Sequence, residues 1–231
     1  MTISFWHRVL NLLAPQACSV CGSRLSIDEE VLCATCNLHL PRTLFAAHAT
    51  DNLMARRFWG RIPMERAAAL FYYEAGSEVS LIIHDLKYHG QRGIGAVMGR
   101  MAAGEFAQYG FFSGIDLIIP VPLARKRQRQ RGYNQSEEIA AGVAEVTGLP
   151  VVTHAVERTS FTESQTRKAL RQRMESVEGA FRVTGQVPLA GLHVLVVDDI
   201  VTSGATICAC VEPMVAAGVK RVSVMSLGVV K

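Results

Sequence analysis

Residues 193–206 combine chemical groups that can hold a phosphorylated sugar. An apolar run leads directly into two adjacent carboxylates, Asp198 and Asp199, and a short loop with hydroxyl side chains and one glycine follows. Backbone N–H groups of such a loop bind a phosphate, helped by the positive end of the next helix's dipole, and glycine lets the backbone approach closely. The candidate phosphate-binding residues are Thr202, Ser203, Gly204, Ala205 and Thr206.

The two carboxylates suit a different part of the same ligand. Their negative charges repel a phosphate, but they accept hydrogen bonds from ribose hydroxyls or bind a metal ion that the substrate carries. The segment lacks the lysine and the spacing of a Walker A loop, and it lacks the glycine pattern of a dinucleotide-binding turn. A solvated Asp-Asp turn before a helix is the alternative, which the fourteen-residue context disfavours.

Residues 196–206 resemble the signature with which type I phosphoribosyltransferases bind 5-phosphoribosyl-1-pyrophosphate (PRPP). The resemblance implies an α/β fold with a mostly parallel sheet flanked by helices. It also implies that Asp198 and Asp199 hold the ribose hydroxyls and that residues 202–206 hold the 5-phosphate. Mg²⁺ is expected to accompany the pyrophosphate group.

Three further segments, 81–90, 118–136 and 158–181, accompany this signature. Together with paired cysteines near the N-terminus, they are similar in type and order to the competence-associated ComF/GntX family, over nearly the whole chain. The resemblance implies that Lys87 and Tyr88 contact pyrophosphate. It implies a lid over residues 158–173, with Arg158, Gln165, Arg171 and Arg173 as its candidates. An ordinary surface lysine and a solvated surface helix are the respective alternatives.

The lid segment also resembles the flexible loop of amidophosphoribosyltransferases, which closes over PRPP. This chain has no glutaminase domain and no cysteine at position 2. The resemblance therefore does not imply glutamine-dependent amine transfer.

A strongly basic run follows the strand that ends at Pro-Val-Pro, residues 120–122. One interpretation is a solvated loop around the active site. The other is contact with a nucleic-acid backbone, which requires clustered positive charge, and Tyr133 is the single nearby ring for base stacking. The family resemblance implies a connection with single-stranded DNA uptake and with other competence proteins. The candidate residues are Arg125, Lys126, Arg127, Arg129 and Arg131.

Two C-x₂-C pairs separated by eleven residues predict a metal site. Four thiolates close a tetrahedral zinc site and leave no open position, so the zinc is expected to be structural. Coincidental cysteines or a redox pair are the alternatives. Cys208 and Cys210, in a later predicted helix, are expected to be buried as small apolar residues. The predicted ligands are Cys18, Cys21, Cys33 and Cys36.

Alternating strands and helices are predicted to position these groups, as in a parallel sheet covered on both faces. Helices are expected over 5–13, 77–86, 94–109, 135–147 and 204–217, and strands over 67–73, 116–121, 192–197 and 222–229. The predicted organisation is an N-terminal helix and zinc module over 1–45, a connector over 46–65, and a phosphoribosyltransferase-like domain over 66–231.

Composition narrows the class of protein. The 231 residues are 49% hydrophobic and 19% charged, with a net charge of +4, which is ordinary for a globular protein. No apolar run approaches the roughly 20 residues that span a bilayer. A cytoplasmic location with reduced thiols is expected, so the six cysteines favour metal binding or burial over disulfides.

Three functions remain open at this point. The chain is expected to be an active phosphoribosyltransferase, a non-catalytic DNA-binding competence factor that senses PRPP, or a base or amine phosphoribosyltransferase of unknown acceptor. Base salvage is disfavoured because no segment resembles the hood that recognises a purine or pyrimidine. The sequence leaves the nucleophile, the product and the oligomeric state open.

Overall fold

The computed structural model describes residues 16–88, 93–159 and 179–231. The helix predicted over 5–13 and most of the predicted lid lie outside these ranges. The strands are β1 Met64–Tyr73, β2 Leu117–Pro120, β3 Val156–Arg158, β4 Phe181–Val183, β5 His193–Val201 and β6 Arg221–Val230. The helices are α1 Ala34–His39, α2 Glu78–Tyr88, α3 Gly93–Ala107, α4 Arg125–Arg131, α5 Gln135–Thr147 and α6 Ala205–Ala216.

Four of the strands form one parallel sheet in the order β1–β6–β5–β2. The apolar run of β5, residues 194–197, is completely buried, as is usual for a parallel strand with both faces covered. This architecture confirms the predicted fold class. The remaining strands, β3 and β4, form an antiparallel pair that sequence analysis missed. Each contains only three residues, which is too short for a clear alternating pattern.

Strand β5 continues four residues beyond its predicted end. On one side it stays paired with β6, where Asp198 lies opposite Ser226 and Val201 opposite Val229. On the other side, β2 ends at Pro120, and the last ladder bond runs from the Val121 N–H to the Val197 carbonyl at 2.9 Å. The prediction that prolines stop β2 is confirmed, since proline has no N–H to donate. The carboxylates therefore lie where β5 has lost its β2 neighbour.

Helices α3 and α5 are in backbone contact through glycines. A Cβ added at Gly99 would lie 2.2 Å from the carbonyl oxygen of Ile139, and one at Gly142 would lie 2.0 Å from that of Ala96. No side chain fits at either distance. This contact fixes the position of α5 against α3.

The cysteine module is attached to α3 by ion pairs. Arg100 binds Glu30 of the module and also Glu145 of α5, the latter at 2.9 Å. Arg42 binds Glu105 at 2.8 Å and stacks its guanidinium 4.5 Å from the ring centre of Phe71. Among the helices in the described ranges, none has the length and apolarity needed to cross a membrane.

Candidate functional site

The first carboxylate, Asp198, is half-buried beside the N-terminus of α5. Its Oδ1 accepts hydrogen bonds from the Ser136 hydroxyl at 3.1 Å and from the Asp199 backbone N–H at 2.9 Å. Burial, and next the negative charge of Asp199, raise the pKa of Asp198 to about 7. Two adjacent acids at a partly buried strand end are costly to ionise together, and such perturbed carboxyls are typical of functional sites.

The second carboxylate, Asp199, forms an ion pair with Lys87. The Asp199 Oδ2 lies 2.8 Å from the Lys87 Nζ, and the two side chains keep 16% and 22% of their surface exposed. Lys87 reaches the strand end because α2 ends at Tyr88, directly after it. The structure thus brings Lys87 to the two carboxylates, whereas the side chain of Tyr88 lies outside the described part of the molecule.

The predicted phosphate loop connects the end of β5 to α6. Thr202 and Ser203 are exposed, and Gly204 is the N-cap of α6 with a φ of 77°. Within the described residues, the backbone N–H groups of Ser203, Gly204 and Thr206 have no protein acceptor, while that of Ala205 lies 3.4 Å from the Ser203 hydroxyl. The loop therefore offers free donors at a helix N-terminus, where an anion binds favourably.

The residues that pack beneath this loop belong to the segment before β1, which the sequence predicted only as a connector. A Cβ added at Gly204 would lie 2.8 Å from Cε1 of Phe58, a fully buried ring. The Arg57 guanidinium donates to the carbonyls of Val201 and Val230, and its burial lowers its pKa. Arg61 donates to the Ser203 carbonyl at 3.0 Å. Sequence analysis missed these residues, because no local motif marks them.

The turn that opens α5 joins the site to β2. Asn134 caps the helix by accepting from the Ser136 N–H, and its Nδ2 donates to the Val121 carbonyl at 3.0 Å. Tyr133 is buried, and its hydroxyl donates to the Leu86 carbonyl near the end of α2. Its ring is buried in this structure and therefore does not present a face for base stacking. An Asn before a helical pattern is a recognised N-cap signal that could have indicated this turn.

The basic run forms the short helix α4 and not the predicted loop. Arg127 and Arg129 are exposed, and Arg131 is half-buried with one Nη donating to Gln135 Oε1 at 2.8 Å. The side chains of residues 125 and 126 lie outside the described part of the structure.

The predicted lid begins at Arg158, the last residue of β3. Its guanidinium lies 5.2 Å from the ring centre of Phe181 on β4. Burial lowers the Arg158 pKa, the nearby Arg127 charge lowers it further, and the Asp198 charge opposes both. The Arg158 and Asp198 charges therefore influence each other. The other lid candidates, Gln165, Arg171 and Arg173, fall outside the described residues.

The four N-terminal cysteines converge as predicted. Their sulfur atoms all lie within 4.8 Å of one another, and the Sγ atoms of Cys21 and Cys33 are 3.8 Å apart. Thiolates about 2.3 Å from a tetrahedral zinc ion would be separated by about 3.8 Å, so the cluster fits this metal. Hydrogen bonding to Ser23 lowers the pKa of Cys21 to about 6. Cys210 is buried as expected, and Cys208 is half-buried.

The sequence is similar to that of several known proteins. Residues 118–227 match the model of the phosphoribosyl transferase domain. The chain is 29% identical over 218 residues to the DNA utilization protein YhgH of Escherichia coli O157:H7, covering 91% of this chain and 88% of that protein. It is 23% identical over 222 residues to competence protein F of Haemophilus influenzae, covering 91% and 95%. Competence protein ComFC of Bacillus subtilis is 23% identical over 202 residues, covering 87% and 79%.

Among solved structures, the B. subtilis glutamine PRPP amidotransferase complexed with ADP and GMP aligns with a TM-score of 0.44. The alignment has 22% identity and covers 62% of this chain and 30% of that one.

Proposed function

Since this chain is a homologue of the ComF-type competence and DNA utilization proteins and carries a phosphoribosyl transferase domain, we propose that it binds PRPP at the end of β5. The supporting observation is the side-by-side arrangement of two carboxylates and a loop with free backbone donors. Ribose hydroxyls would donate to Asp198 and Asp199, and the 5-phosphate would accept from residues 203–206. One strand end would thus hold both sides of the sugar.

The pyrophosphate of PRPP would lie toward the nearby cations. Lys87 neutralises Asp199 at 2.8 Å, and Arg158 lies close enough to interact with the Asp198 charge. Asp198 and Asp199 could also hold Mg²⁺ that accompanies PRPP, and Lys87 would then be available to bind the pyrophosphate. Tyr88 and the lid residues Gln165, Arg171 and Arg173 remain proposed contacts of the same group.

The same arrangement suits transfer of the phosphoribosyl group to an amine or hydroxyl nucleophile. The bond from C1 to pyrophosphate oxygen would break with its electron pair leaving on the pyrophosphate. The lone pair of the nucleophile would form the new bond to C1, and its proton would go to solvent or to a nearby base. Positioning and exclusion of water would supply most of the rate enhancement.

Calorimetric titration with PRPP and Mg²⁺ tests the binding proposal. The double substitution Asp198→Asn/Asp199→Asn keeps the shape of both side chains but removes the acceptor charge. Because hydrogen bonds to charged groups contribute about 1.5–3 kcal/mol each, affinity should fall at least about tenfold. Glu212→Gln, an exposed carboxylate on α6, is the matched control. Equal affinity of the double variant and the wild type would refute the proposal.

A second candidate function is binding of single-stranded DNA by the basic helix α4. The observation that favours it is the exposure of Arg127 and Arg129 on this helix. Contacts with phosphates release counterions, so binding should weaken steeply as salt rises. Charge reversal at Arg127 and Arg129 should weaken DNA binding and flatten its salt dependence, and unchanged affinity would exclude α4 as the site. A partner among other competence proteins is part of this proposal.

The cysteine module is proposed to hold one structural zinc ion. The proposed organisation keeps the module within residues 1–45, the connector within 46–65 and the PRPP-binding domain within 66–231. A cytoplasmic location, where thiols stay reduced, suits such a site.

A further inference from the structure

Gln135, the first residue of α5, carries an unsatisfied buried donor. The side chain is 2% exposed, and its Oε1 accepts from Arg131 at 2.8 Å. Among the described residues, its Nε2 is the buried side-chain nitrogen that has no hydrogen-bond partner, and it has essentially no accessible surface.

Such a donor is unfavourable in a folded protein. Leaving a buried N–H without an acceptor costs about 1–3 kcal/mol, so nearly all such groups are paired. A position that breaks this rule without a local gain is typical of a functional site.

The position of Gln135 connects it to the carboxylate site. The residue before it, Asn134, is bonded to the carbonyl of Val121 beyond the end of β2, and the residue after it, Ser136, is bonded to Asp198. A Cβ added at Gly95 of α3 would lie 2.5 Å from the Cβ of Glu138, so α3 packs closely against this first helical turn. The unsatisfied nitrogen therefore belongs to the same turn that supplies the partner of Asp198.

The chemistry of the amide selects the ligand group. Nε2 only donates, so it requires an acceptor. The ribose hydroxyls would donate to the carboxylates, and the 5-phosphate would already be held by residues 203–206. The pyrophosphate oxygens, which only accept, are the remaining partner for this nitrogen.

We propose that Gln135 is a binding residue for the pyrophosphate group of PRPP, through its Nε2. This inference rests on the proposed PRPP binding. The nitrogen is covered in this conformation, so contact requires the side chain to turn. The turn would give up the Arg131 bond to Oε1 and would provide an acceptor for the unsatisfied nitrogen.

Two variants separate the donor from the rest of the side chain. Gln135→Met removes both polar atoms, and Gln135→Glu keeps an acceptor for Arg131 but replaces the donor with a charged oxygen. Gln108→Met, at an exposed glutamine after α3, is the matched control. The probes are Mg²⁺–PRPP, Mg²⁺–pyrophosphate and ribose 5-phosphate, titrated by calorimetry, with thermal unfolding of each protein measured alone.

Both Gln135 variants should bind PRPP and pyrophosphate at least tenfold more weakly, and ribose 5-phosphate within twofold of wild type. Gln135→Met should also unfold at a higher temperature than wild type, because it removes the unsatisfied donor. Gln108→Met should change neither property.

Two results would overturn the inference while leaving PRPP binding intact. One is wild-type affinity for all probes in both variants. The other is an equal loss for all three probes together with a lower unfolding temperature, which would indicate a purely structural residue. If the wild-type protein binds none of the probes, the proposed function itself fails.

Discussion

Asp198 should make the folded protein less stable as pH rises, and Asp198→Asn should remove this effect. In the folded chain, burial and the Asp199 charge raise the Asp198 pKa from 3.8 to about 7. Between these two values the folded state binds more protons than the unfolded state. The contribution of Asp198 to the free energy of unfolding therefore falls as pH rises from about 4 to about 7, and it is constant above pH 7.

The magnitude follows from the shift in proton affinity. Each factor of ten corresponds to about 1.4 kcal/mol, so a pKa of about 7 in place of 3.8 costs about 4 kcal/mol at pH 8. At pH 5 only part of this cost is present, which leaves a difference of about 2.5 kcal/mol between the two conditions. An asparagine at this position keeps an Oδ1 for the Ser136 hydroxyl and the Asp199 N–H. The stability that Asp198→Asn gains over wild type therefore measures the effect of the carboxylate charge alone.

Urea unfolding of wild type, Asp198→Asn and the control Glu212→Gln at pH 5, 6, 7 and 8 measures this gain. All titrating groups except residues 198 and 212 are present in all three proteins, so groups that are remote from these positions cancel in the differences. The Asp198→Asn variant should become progressively more stable relative to wild type as pH rises, and Glu212→Gln should not. A difference from wild type that stays constant from pH 5 to pH 8 would refute a destabilised carboxylate at this strand end.

Three further outcomes are expected. Gly204→Ala should lower the free energy of unfolding by about 2–4 kcal/mol in urea titrations. The reason is that it adds a Cβ against Phe58 and places a side chain at positive φ. A change below about 0.5 kcal/mol would contradict this geometry. Gly142→Ala should be more severe, since its Cβ meets a backbone carbonyl, whereas Gly104→Ala on the open side of α3 should be neutral or stabilising by up to about 1 kcal/mol. Metal analysis should find one zinc per chain, and a chelator should unfold the cysteine module as seen by hydrogen exchange; full protection after zinc loss would exclude a structural metal.

Much of the fold could be predicted because it follows from local patterns in the amino-acid sequence. The apolar run before Asp198 and the glycine at 204 predicted a strand, a loop and a helix, and the structure places β5 and α6 there. Helix α5 was predicted with its observed ends, since Gly148 ends its periodic pattern in the left-handed conformation. The convergence of the four cysteines followed from their spacing alone.

What could not be predicted depends on contacts between distant parts of the chain. The extension of β5 to Val201 requires knowing that β6, and not β2, continues beside it. Phe58 reaches the loop from far away in sequence, and Arg57 has no motif around it. The burial of Tyr133 likewise depends on the end of α2, which the local sequence does not reveal.

The support that Phe58, Arg57 and Arg61 give to the phosphate loop limits how this protein can be cut or transplanted. A truncated chain that began at Arg66 would keep both acids and every strand of the parallel sheet except the first two residues of β1. It would also leave an empty space beneath Gly204 and unbonded carbonyls at the ends of β5 and β6. Residues 57–61, which the sequence predicted as part of a connector, therefore support the phosphate loop. A minimal fragment has to begin before Arg57.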